Sequence, residues 1–322
     1  MEPWMSSEAE FVAALIASLP ADSRLEVPAG DDAAVIRPPA GRRTVVTVDM
    51  LMEGVDFVLG DGCPPQAVGH KALAVNLSDL AAMGARPEAV VVAVALPQRY
   101  GADLGRGVQQ GIASLAAIHG VALAGGDTNA WDGPLVISVT AVGSVLPGAA
   151  WRRDGARPGD LLVVSGRCGG SLLGRHLAVS PRCREAALIA GRYQVHAAID
   201  VSDGLSLDLS RMMAASHAAA VLDLAFIPIH PDAERMAALP GDGRSPLEHA
   251  LGDGEDFELL LSLPAAEARR LVAETASAPF DEPFTIIGQV IEGQGLFAAT
   301  PDGRRQPLAP QGFSHALDLS RQ

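Results

Sequence analysis

The chain has 322 residues, of which 48% are hydrophobic and 4% aromatic, and its 38 acidic against 24 basic side chains give a net charge of -14. This acidic balance argues against nucleic acid as a partner, because a protein that binds the phosphate backbone needs clustered Lys and Arg. Three cysteines without a CxxC spacing argue against a disulfide framework or a zinc site and are typical of the reducing cytoplasm, where we expect the protein to be located.

The N-terminal half is predicted to alternate helices and strands. Ser7 and Glu10 form a capping-box pattern at the start of an amphipathic helix, and this segment lacks the basic start of a signal peptide. A strand over residues 41–50 ends at Asp49. The next predicted elements are a helix over 67–87, a buried strand over 89–97, a helix over 103–118, a short strand over 121–127 that leads into a Gly-Gly turn, and a strand over 134–147. The longest apolar run, at 89–96, is far too short to cross a membrane.

A polar stretch rich in Gly and Pro, residues 147–160, marks the predicted domain boundary. We expect one domain over 1–148 and a second over 149–322. The second half is predicted to contain a strand from residue 161, a strand ending at Asp200, a helix over 205–220, strands over 221–226 and 257–263, a helix over 264–276 and a strand over 284–290. This alternation predicts an α/β fold in both halves, with helices packed on sheets.

Acidic residues gather near predicted strand ends and turns. These positions are Asp31, Asp32, Asp49, Asp127, Asp200, Asp203, Asp253, Glu255 and Asp256. Taken singly, an aspartate before glycine is usually a turn former, and one at a helix start is usually an N-cap. Asp31 and Asp32 are adjacent and repel each other, while the nearest basic residue after them is Arg37. We therefore expect a positive charge close to this pair.

Asp79 also needs a partner, because it lies in the middle of an apolar predicted helix, on the same face as Asn76. A position on the protein surface is the alternative interpretation. Functional groups of α/β domains gather where strands end, and Mg²⁺ prefers oxygen ligands and bridges carboxylates to phosphates. The sequence therefore predicts that these acids meet in one pocket with Mg²⁺ as the compensating charge.

The Gly-rich stretch over 164–176 follows a predicted strand, but it has no G-x-G-x-x-G spacing. A plain turn after the strand explains it at least as well as a phosphate-binding loop. The sequence also lacks the P-loop, G-x-S-x-G and H-E-x-x-H patterns, which excludes a Walker-type nucleotide site and gives no support to a serine hydrolase or a zinc protease.

Six motifs occur in an order that resembles the bacterial thiamine-monophosphate kinases. They are GDDAAV, KALAVNLSDLAAMGA, GGDT, IDVSDGLSLDL, GEDFELL and IGQV, and with the flanking residues they extend from Gly30 to Phe313. That family belongs to a superfamily with aminoimidazole-ribonucleotide synthetase, selenophosphate synthetase and the hydrogenase-maturation dehydratase, whose members bind ATP without a P-loop. The resemblance implies two α/β domains of the synthetase type with mixed sheets, the first for ATP and metal binding and for homodimerisation, the second completing the active site.

The resemblance also implies the reaction and its residues. The γ-phosphoryl group of ATP passes to thiamine monophosphate by direct in-line attack, with several Mg²⁺ ions and without a general base. The metal ligands by motif match are Asp32, Thr47, Asp49, Asp79, Asp127, Asp200 and Asp203, of which Asp49, Asp127 and Asp203 support the transfer itself. The ATP contacts are Gly126, Asp127, Arg153 and Ser202. The residues lining the thiamine phosphate site are Asp56, Glu255 and Phe313.

Two positions depart from the family pattern, and they keep alternatives open. Val48 stands where the family often has Thr, and Asp56 where it often has His. One alternative is another ATP-dependent enzyme of the superfamily with a different phosphate or amide acceptor; Cys63 is the first cysteine and lies outside a Gly-rich loop, and the chain ends LDLSRQ, which disfavours the selenium and dehydratase branches. The other alternative is a non-catalytic sensor of ATP and Mg²⁺.

Overall fold

The computed structural model describes residues 8–276, 282–300 and 303–314, so the predicted cap at Ser7 lies outside the described residues. The chain forms two compact units. The first comprises Met1–Ala150 with Leu177–Ala187, and the second Trp151–His176 with Leu188–Gln322. The sequence analysis does not separate residues 177–187 from the second half; their place in the first unit depends on contacts that lie far apart in the sequence.

The first unit contains a four-stranded sheet with helices. Its elements are α1 (Glu8–Ser18), β1 (Leu25–Val27), β2 (Val35–Ile36), β3 (Arg43–Met52), α2 (Pro65–Ala82), β4 (Arg86–Pro97), α3 (Gly101–His119), β5 (Ala122–Trp131) and β6 (Val136–Val145). The sheet order is β3-β6-β4-β5, in which β4 and β5 are parallel and the other two pairs are antiparallel, while β1 and β2 form a separate antiparallel pair.

Helix α2 packs against α3 with almost no side chain between the two backbones. A Cβ atom at Gly69 would lie 2.0 Å from the carbonyl oxygen of Val108, and one at Gly111 would lie 2.0 Å from that of Gln66. The small residues of α2 therefore permit a backbone contact that any larger residue would prevent. This packing holds α2, which carries Asp79, in a defined position on the sheet.

Two predicted strand ends are wrong, because pairing with a neighbouring strand continues beyond them. Strand β3 runs to Met52, which pairs with Val136 of β6, so Asp49 lies inside the strand. Strand β5 continues to Trp131 along β4, so the predicted Gly-Gly turn is part of a strand whose register shifts once. A strand predicted from the sequence ends at Gly or Asp because these residues are rare in strands. The hydrogen-bonded pairing with the neighbouring strand nevertheless continues past them.

The rest of the chain contributes a seven-stranded sheet and further helices. The elements are β7 (Leu161–Val164), α4 (Cys183–Ile189), β8 (Ala197–Asp200), α5 (Leu205–Ala215), β9 (Ala219–Leu222), α6 (Pro231–Ala237), α7 (Pro246–Gly252), β10 (Leu259–Leu263), α8 (Ala265–Thr275), β11 (Thr285–Ile291), β12 (Gly295–Ala299) and β13 (Arg305–Pro307). The order is β13-β12-β9-β11-β7-β10-β8, in which β9 and β12 pair in parallel and the other pairs are antiparallel.

These mixed sheets with helices confirm the predicted α/β class, and β8 ends at Asp200 as predicted. The strand predicted over 221–226 is wrong, because the strand in this region is β9 (Ala219–Leu222). Strand β9 ends at Leu222, and the carboxylate of Asp223 then accepts a hydrogen bond from the backbone N–H of Ala225, which starts a short 3₁₀ turn. Within the described ranges, no helix combines the length and the apolar character that a membrane crossing requires.

Candidate functional site

A cavity of about 820 Å³ lies in the first unit between α1, α3, β4 and β5. Most of its lining is apolar, but the lining also includes Asp31, Asp32, Gly126 and Asp127. An apolar pocket with a few convergent polar groups is the usual form of a small-molecule site. Three of the predicted site residues, Asp32, Gly126 and Asp127, are therefore brought to one cavity although about 95 residues separate them in the sequence.

The positive charge expected near Asp31 and Asp32 is not Arg37. The guanidinium group of Arg37 pairs with Glu26, at 3.0 Å between Nε and Oε1. Both aspartates are exposed, and the carboxylate of Asp31 accepts the backbone N–H of Asp32 at 2.8 Å. Both residues line the cavity, and Arg37 does not supply the charge that would compensate them.

Gly126 lies inside β5, and its lack of a side chain has a structural reason. A Cβ atom at this position would lie 1.9 Å from the carbonyl oxygen of Val92, its register partner on β4. The pairing is irregular just before this point, between Val90 and Val91, and bulges of this kind often lie beside active sites because they change the direction of a side chain. Glycine is therefore required for the strand packing, whatever ligand its backbone also contacts.

Thr47, Asp49 and Asp79 meet where β3 packs on α2. Thr47 Oγ1 donates a hydrogen bond to Oδ2 of Asp79. Residues 47 and 49 are two apart on the strand and so share its face. Burial, followed by the negative charges of Asp79 and Asp56, raises the pKa of Asp49 to about 6. The charged groups that shift this pKa are all acids, so a cation would be bound favourably here.

Asp56 lies in the loop after β3 and accepts hydrogen bonds from β3 and from α2. Its carboxylate accepts the backbone N–H of Met52 at 2.7 Å, and its backbone carbonyl accepts a hydrogen bond from Nζ of Lys71, also at 2.7 Å. Lys71 is the only lysine of the chain, and its side chain is fully buried. Sequence reasoning missed this residue, although a single lysine among many arginines indicates a position that needs a compact ammonium group.

The acids of the first unit do not form one cluster. Across the sheet, Asp49 pairs with Val139, Val139 with Val92, and Val92 with Gly126. Three strand spacings separate Asp49 from the Gly126–Asp127 position by roughly 14 Å along the sheet, at about 4.8 Å per strand. One Mg²⁺ ion, with ligands at about 2.1 Å, cannot bind both acids.

The acids of the first unit therefore form two groups, and the meeting of all the acids in one pocket stays a prediction. One group is Thr47, Asp49 and Asp79; the other lines the cavity with Asp32 and Asp127. Among the residues that the structure describes, no three His, Cys, Asp or Glu side chains surround a single ion position. The sheet explains the separation, because Thr47 and Asp49 lie on one edge strand, β3, and Asp127 lies on the other, β5.

In the second unit, Asp200 is buried at the end of β8, and Asp203 lies in the turn before α5. The carboxylate of Asp203 forms an ion pair with Arg211. Arg211 also pairs with the buried Asp208, whose Oδ2 accepts the backbone N–H groups of Asp203 and Gly204 at 2.9 and 3.1 Å. Sequence analysis missed Arg211 and Asp208, and their only sequence signal is a helical spacing of three residues.

Glu255 and Phe313 lie far apart in the sequence but bind the same turn. The backbone N–H of Glu255 donates to the carbonyl of Ser202 at 2.7 Å, and that of Phe313 donates to the carbonyl of Asp203 at 2.8 Å. The Phe313 ring is half exposed and so accessible. Four predicted site residues thus meet in the second unit: Ser202, Asp203, Glu255 and Phe313. Arg153 is exposed in the same unit, and its backbone carbonyl accepts a hydrogen bond from the hydroxyl of Ser216.

The Gly-rich loop after β7 is occupied by carboxylates of the chain itself. The backbone N–H of Gly169 donates to both carboxylate oxygens of Asp256 at 3.0 and 2.9 Å, and that of Gly170 donates to Asp253 at 2.7 Å. Arg175 also pairs with Asp256 at 2.8 Å. These N–H groups are the ones that a phosphate-binding loop would present to its ligand, so the structure favours the turn over the phosphate loop.

The predicted metal ligands fit Mg²⁺ in their chemistry. Apart from the hydroxyl of Thr47, all of them are carboxylates, and hard divalent cations prefer oxygen donors. No sulfur or imidazole belongs to the set, which differs from the ligands typical of zinc. The residues therefore suit magnesium in their donor atoms.

Comparison with protein families identifies the class of this fold. The model described as AIR synthase related protein, N-terminal domain, matches residues 30–145, and that for the C-terminal domain of the same proteins matches residues 155–300. Together the two matches cover most of the chain. The predicted synthetase-type architecture with two domains is therefore confirmed.

Similar individual proteins show which family within this class the chain belongs to. The thiamine-monophosphate kinase of Rhodopirellula baltica is 44% identical over 293 residues, which cover 89% of this chain and 90% of that protein. The crystal structure of thiamine-monophosphate kinase from Stenotrophomonas maltophilia K279a is 35% identical, with a TM-score of 0.77, and covers 92% of this chain and 95% of that one. AaThiL complexed with AMPPCP and TMP is 28% identical, with a TM-score of 0.74, over 89% of this chain and 91% of that one. The chain belongs to the thiamine-monophosphate kinase family.

The electrostatic coupling between Asp49 and Asp79 predicts a measurable shift. Asp79→Asn removes a negative charge but keeps an oxygen that accepts the Thr47 hydrogen bond, so the pKa of Asp49 should fall from about 6 while staying above its usual 3.8, since burial remains. NMR titration of labelled aspartate carboxyl carbons, without added Mg²⁺, measures the change. Asp103→Asn on α3 is the matched control, and an unshifted Asp49 in the Asp79 variant would show that the two acids are not coupled.

Proposed function

We propose that this protein transfers the γ-phosphoryl group of ATP to thiamine monophosphate and releases thiamine diphosphate and ADP in the cytoplasm. The observation that carries the proposal is the 44% identity to a kinase of that name over 89% of the chain, which includes both domains. The related complex of AaThiL with AMPPCP and TMP supports the same pair of substrates.

For ATP, we assign the cavity of the first unit to the nucleotide. Its apolar lining suits a base, and Asp32, Gly126 and Asp127 lie on the same cavity. Arg153 and Ser202 are the further proposed contacts, one an exposed cation and the other a hydroxyl in a turn. Because the acids repel bare phosphates, this assignment requires divalent cations between the carboxylates and the triphosphate.

The proposed metal ligands are Asp32, Thr47, Asp49, Asp79, Asp127, Asp200 and Asp203. When bound, Mg²⁺ neutralises the charge of the triphosphate and stabilises the charge that develops during transfer. The separation of roughly 14 Å between the two acidic groups of the first unit supports several ions instead of one. Within these groups, the hydroxyl of Thr47 orients Asp79 by a hydrogen bond. The negative charges of Asp79 and Asp56 beside Asp49 favour the binding of a cation there.

For the acceptor, we assign Asp56, Glu255 and Phe313. Phe313 offers a half-exposed ring on which an aromatic ring of thiamine can stack, and the carboxylates of Asp56 and Glu255 can face its thiazolium cation. The attacking group is a phosphate oxygen that is already largely ionised near neutral pH, so no side chain has to remove a proton. Transfer then depends on in-line positioning and on charge neutralisation, to which Asp49, Asp127 and Asp203 contribute as metal ligands.

A coupled assay of ADP formation tests the function. Purified protein with saturating Mg²⁺ should form ADP only when thiamine monophosphate is present, and formation should stop on chelation of the metal. Thiamine without its phosphate is the matched control acceptor and should give no ADP. Turnover with a different phosphate or amide acceptor would favour another enzyme of the superfamily, and tight binding of ATP with Mg²⁺ without turnover for any acceptor would favour a sensor.

Loss of one proposed metal ligand should change the magnesium requirement. Asp79→Asn should lower kcat and raise the Mg²⁺ concentration for half-maximal activity roughly 10- to 100-fold, the range found when groups around a metal are altered. Circular dichroism should show an intact fold. The control is Asp103→Asn, an exposed aspartate on α3, whose Mg²⁺ dependence should match the wild type. An unchanged requirement in the Asp79 variant would remove Asp79 from the ligand set.

We also propose a homodimer through the uncovered face of the sheet in the first unit. Alternate residues of β3 leave apolar side chains exposed on this face, with Val46, Val48 and Met50 exposed by 63%, 61% and 58%. A stripe of this kind on an edge strand is costly to leave in water, and a second copy of the same stripe would cover it. Val48, which departs from the family pattern, would then be an apolar contact in the dimer interface.

A charge in the centre of the stripe should separate the two copies. Val48→Asp should raise the dimer dissociation constant about tenfold or more, because an unpaired carboxylate would be buried in the interface. Sedimentation velocity over a range of concentrations measures the effect. Ile118→Asp on α3 introduces the same charge at a residue that is 75% exposed elsewhere, and it should leave the dimer intact. A monomeric wild type, or a dimer insensitive to Val48→Asp, would overturn this proposal.

A further inference from the structure

His249 is fully buried in the last turn of α7, and both of its ring nitrogens face carboxylates. Nδ1 lies 2.9 and 3.0 Å from the two carboxylate oxygens of Asp253, and Nε2 lies 2.8 Å from Oδ2 of Asp242. An ionised carboxylate can only accept hydrogen bonds, so each ring nitrogen must donate one. The contacts therefore require an imidazolium ion, with a proton on both nitrogens.

Other charged groups lie close to this ring. Arg244 contributes a second cation, with its Nη2 2.8 Å from Oδ1 of Asp253. Two cations thus face the two carboxylates of Asp242 and Asp253. Although burial alone would raise it, the pKa of Asp242 is lowered by the backbone N–H of Arg244 and by His249, which keeps this carboxylate ionised. The pKa of Glu248 is lowered by hydrogen bonds from Ser245 and also by the charges of Arg244 and His249, so His249 belongs to an ion network and is not an isolated buried histidine.

Asp253 connects this network to a strained turn. Its other contact is the backbone N–H of Gly170 at 2.7 Å, and the turn 254–257 follows directly. In that turn Glu255 and Phe257 have φ values of +53° and +52°, a region that residues other than glycine rarely adopt. Such backbone persists only where its surroundings hold it.

The turn is held at both ends. On one side the backbone N–H of Glu255 and that of Phe257 donate to the carbonyls of Ser202 and Val201 at 2.7 and 2.8 Å. On the other side the ion network restrains Asp253, the residue before the turn. Within the turn, the hydroxyl of Ser171 donates to the carbonyl of Gly254, and Asp256 binds Gly169 and Arg175. The position of Glu255 therefore depends on several sets of contacts, one of which passes through His249.

We propose that His249 is a positioning residue for the phosphate acceptor: as an imidazolium ion it holds Asp253, and through Asp253 it fixes the turn 254–257 that presents Glu255. The inference rests on the proposed function, in which Glu255 lines the acceptor site. Histidine suits this role because its two N–H groups point in opposite directions and bridge two carboxylates in a small volume. A glutamine amide can donate to one of them, but it turns its oxygen towards the other.

The test is His249→Gln with steady-state kinetics for both substrates. KM for thiamine monophosphate should rise about tenfold, the effect of one lost charge-assisted hydrogen bond, while KM for ATP and kcat stay within about twofold. His196→Gln is the matched control, because His196 also pairs with a carboxylate, Asp160 at 2.9 Å, but precedes β8, at the opposite end of that strand from Asp200. It should leave both KM values unchanged, even where it lowers the melting temperature as much as His249→Gln does.

A second variant, Asp253→Asn, tests the same contact if His249→Gln folds poorly, and a double-mutant cycle applies where both variants fold. Asp253→Asn should raise the same KM, and the double variant should raise it little beyond either single change, because both act through one contact. An unchanged KM for thiamine monophosphate, or equal changes for both substrates, would overturn the positioning role. Wild-type protein that makes no ADP with thiamine monophosphate would instead overturn the proposed function, so the two failures are distinguishable.

Discussion

The constraint on which this molecule depends is the neutralisation of closely spaced carboxylates in a chain with a net charge of -14. The structure meets it in two ways. In the second unit, the inner acids pair with cations of the chain: Asp208 with Arg211, Asp253 with His249, and Asp256 with Arg175. In the first unit, the charged groups that shift the pKa of Asp49 are acids. Asp208, Asp253 and Asp256, which the protein neutralises itself, stabilise its loops, whereas Asp49, which lies among other acids, is suited to bind an added cation.

This difference separates residues that look alike in the sequence. Within GDGEDFE, Asp253 and Asp256 bind the Gly-rich loop through backbone N–H groups, whereas Glu255 sits on a strained turn against Ser202. The turn 254–257 and the preceding Asp253 contact residues 169–170 and 201–202, so three segments that are far apart in the sequence lie together. The strain at Glu255 and Phe257 is consistent with a functional position, because such conformations are retained where the surroundings hold them.

Backbone contact is the second organising feature. Gly69 and Gly111 permit α2 and α3 to touch, and Gly126 permits β5 to approach β4. These contacts set the position of Asp79 and Asp127 relative to the sheet. A glycine in a motif is therefore not proof of a phosphate contact, because the packing of the first unit already requires it at these positions. The same caution applies to the loop at Gly169, whose N–H groups are engaged by Asp256.

The sequence by itself determined the α/β class, the family and most helices and strands, because apolar periodicity and short motifs are local properties. It also singled out Asp79 as an acid in need of a partner, since a carboxylate in an apolar helix is costly to bury alone. Only the tertiary structure decided where strands end, because ladder pairing continues past Gly and Asp, and that the acids of the first unit form two groups, because strand order sets their distance. The partners Arg211, Lys71 and His249 likewise became visible only in three dimensions, since the charge that neutralises an acid comes from whichever residue the fold brings beside it.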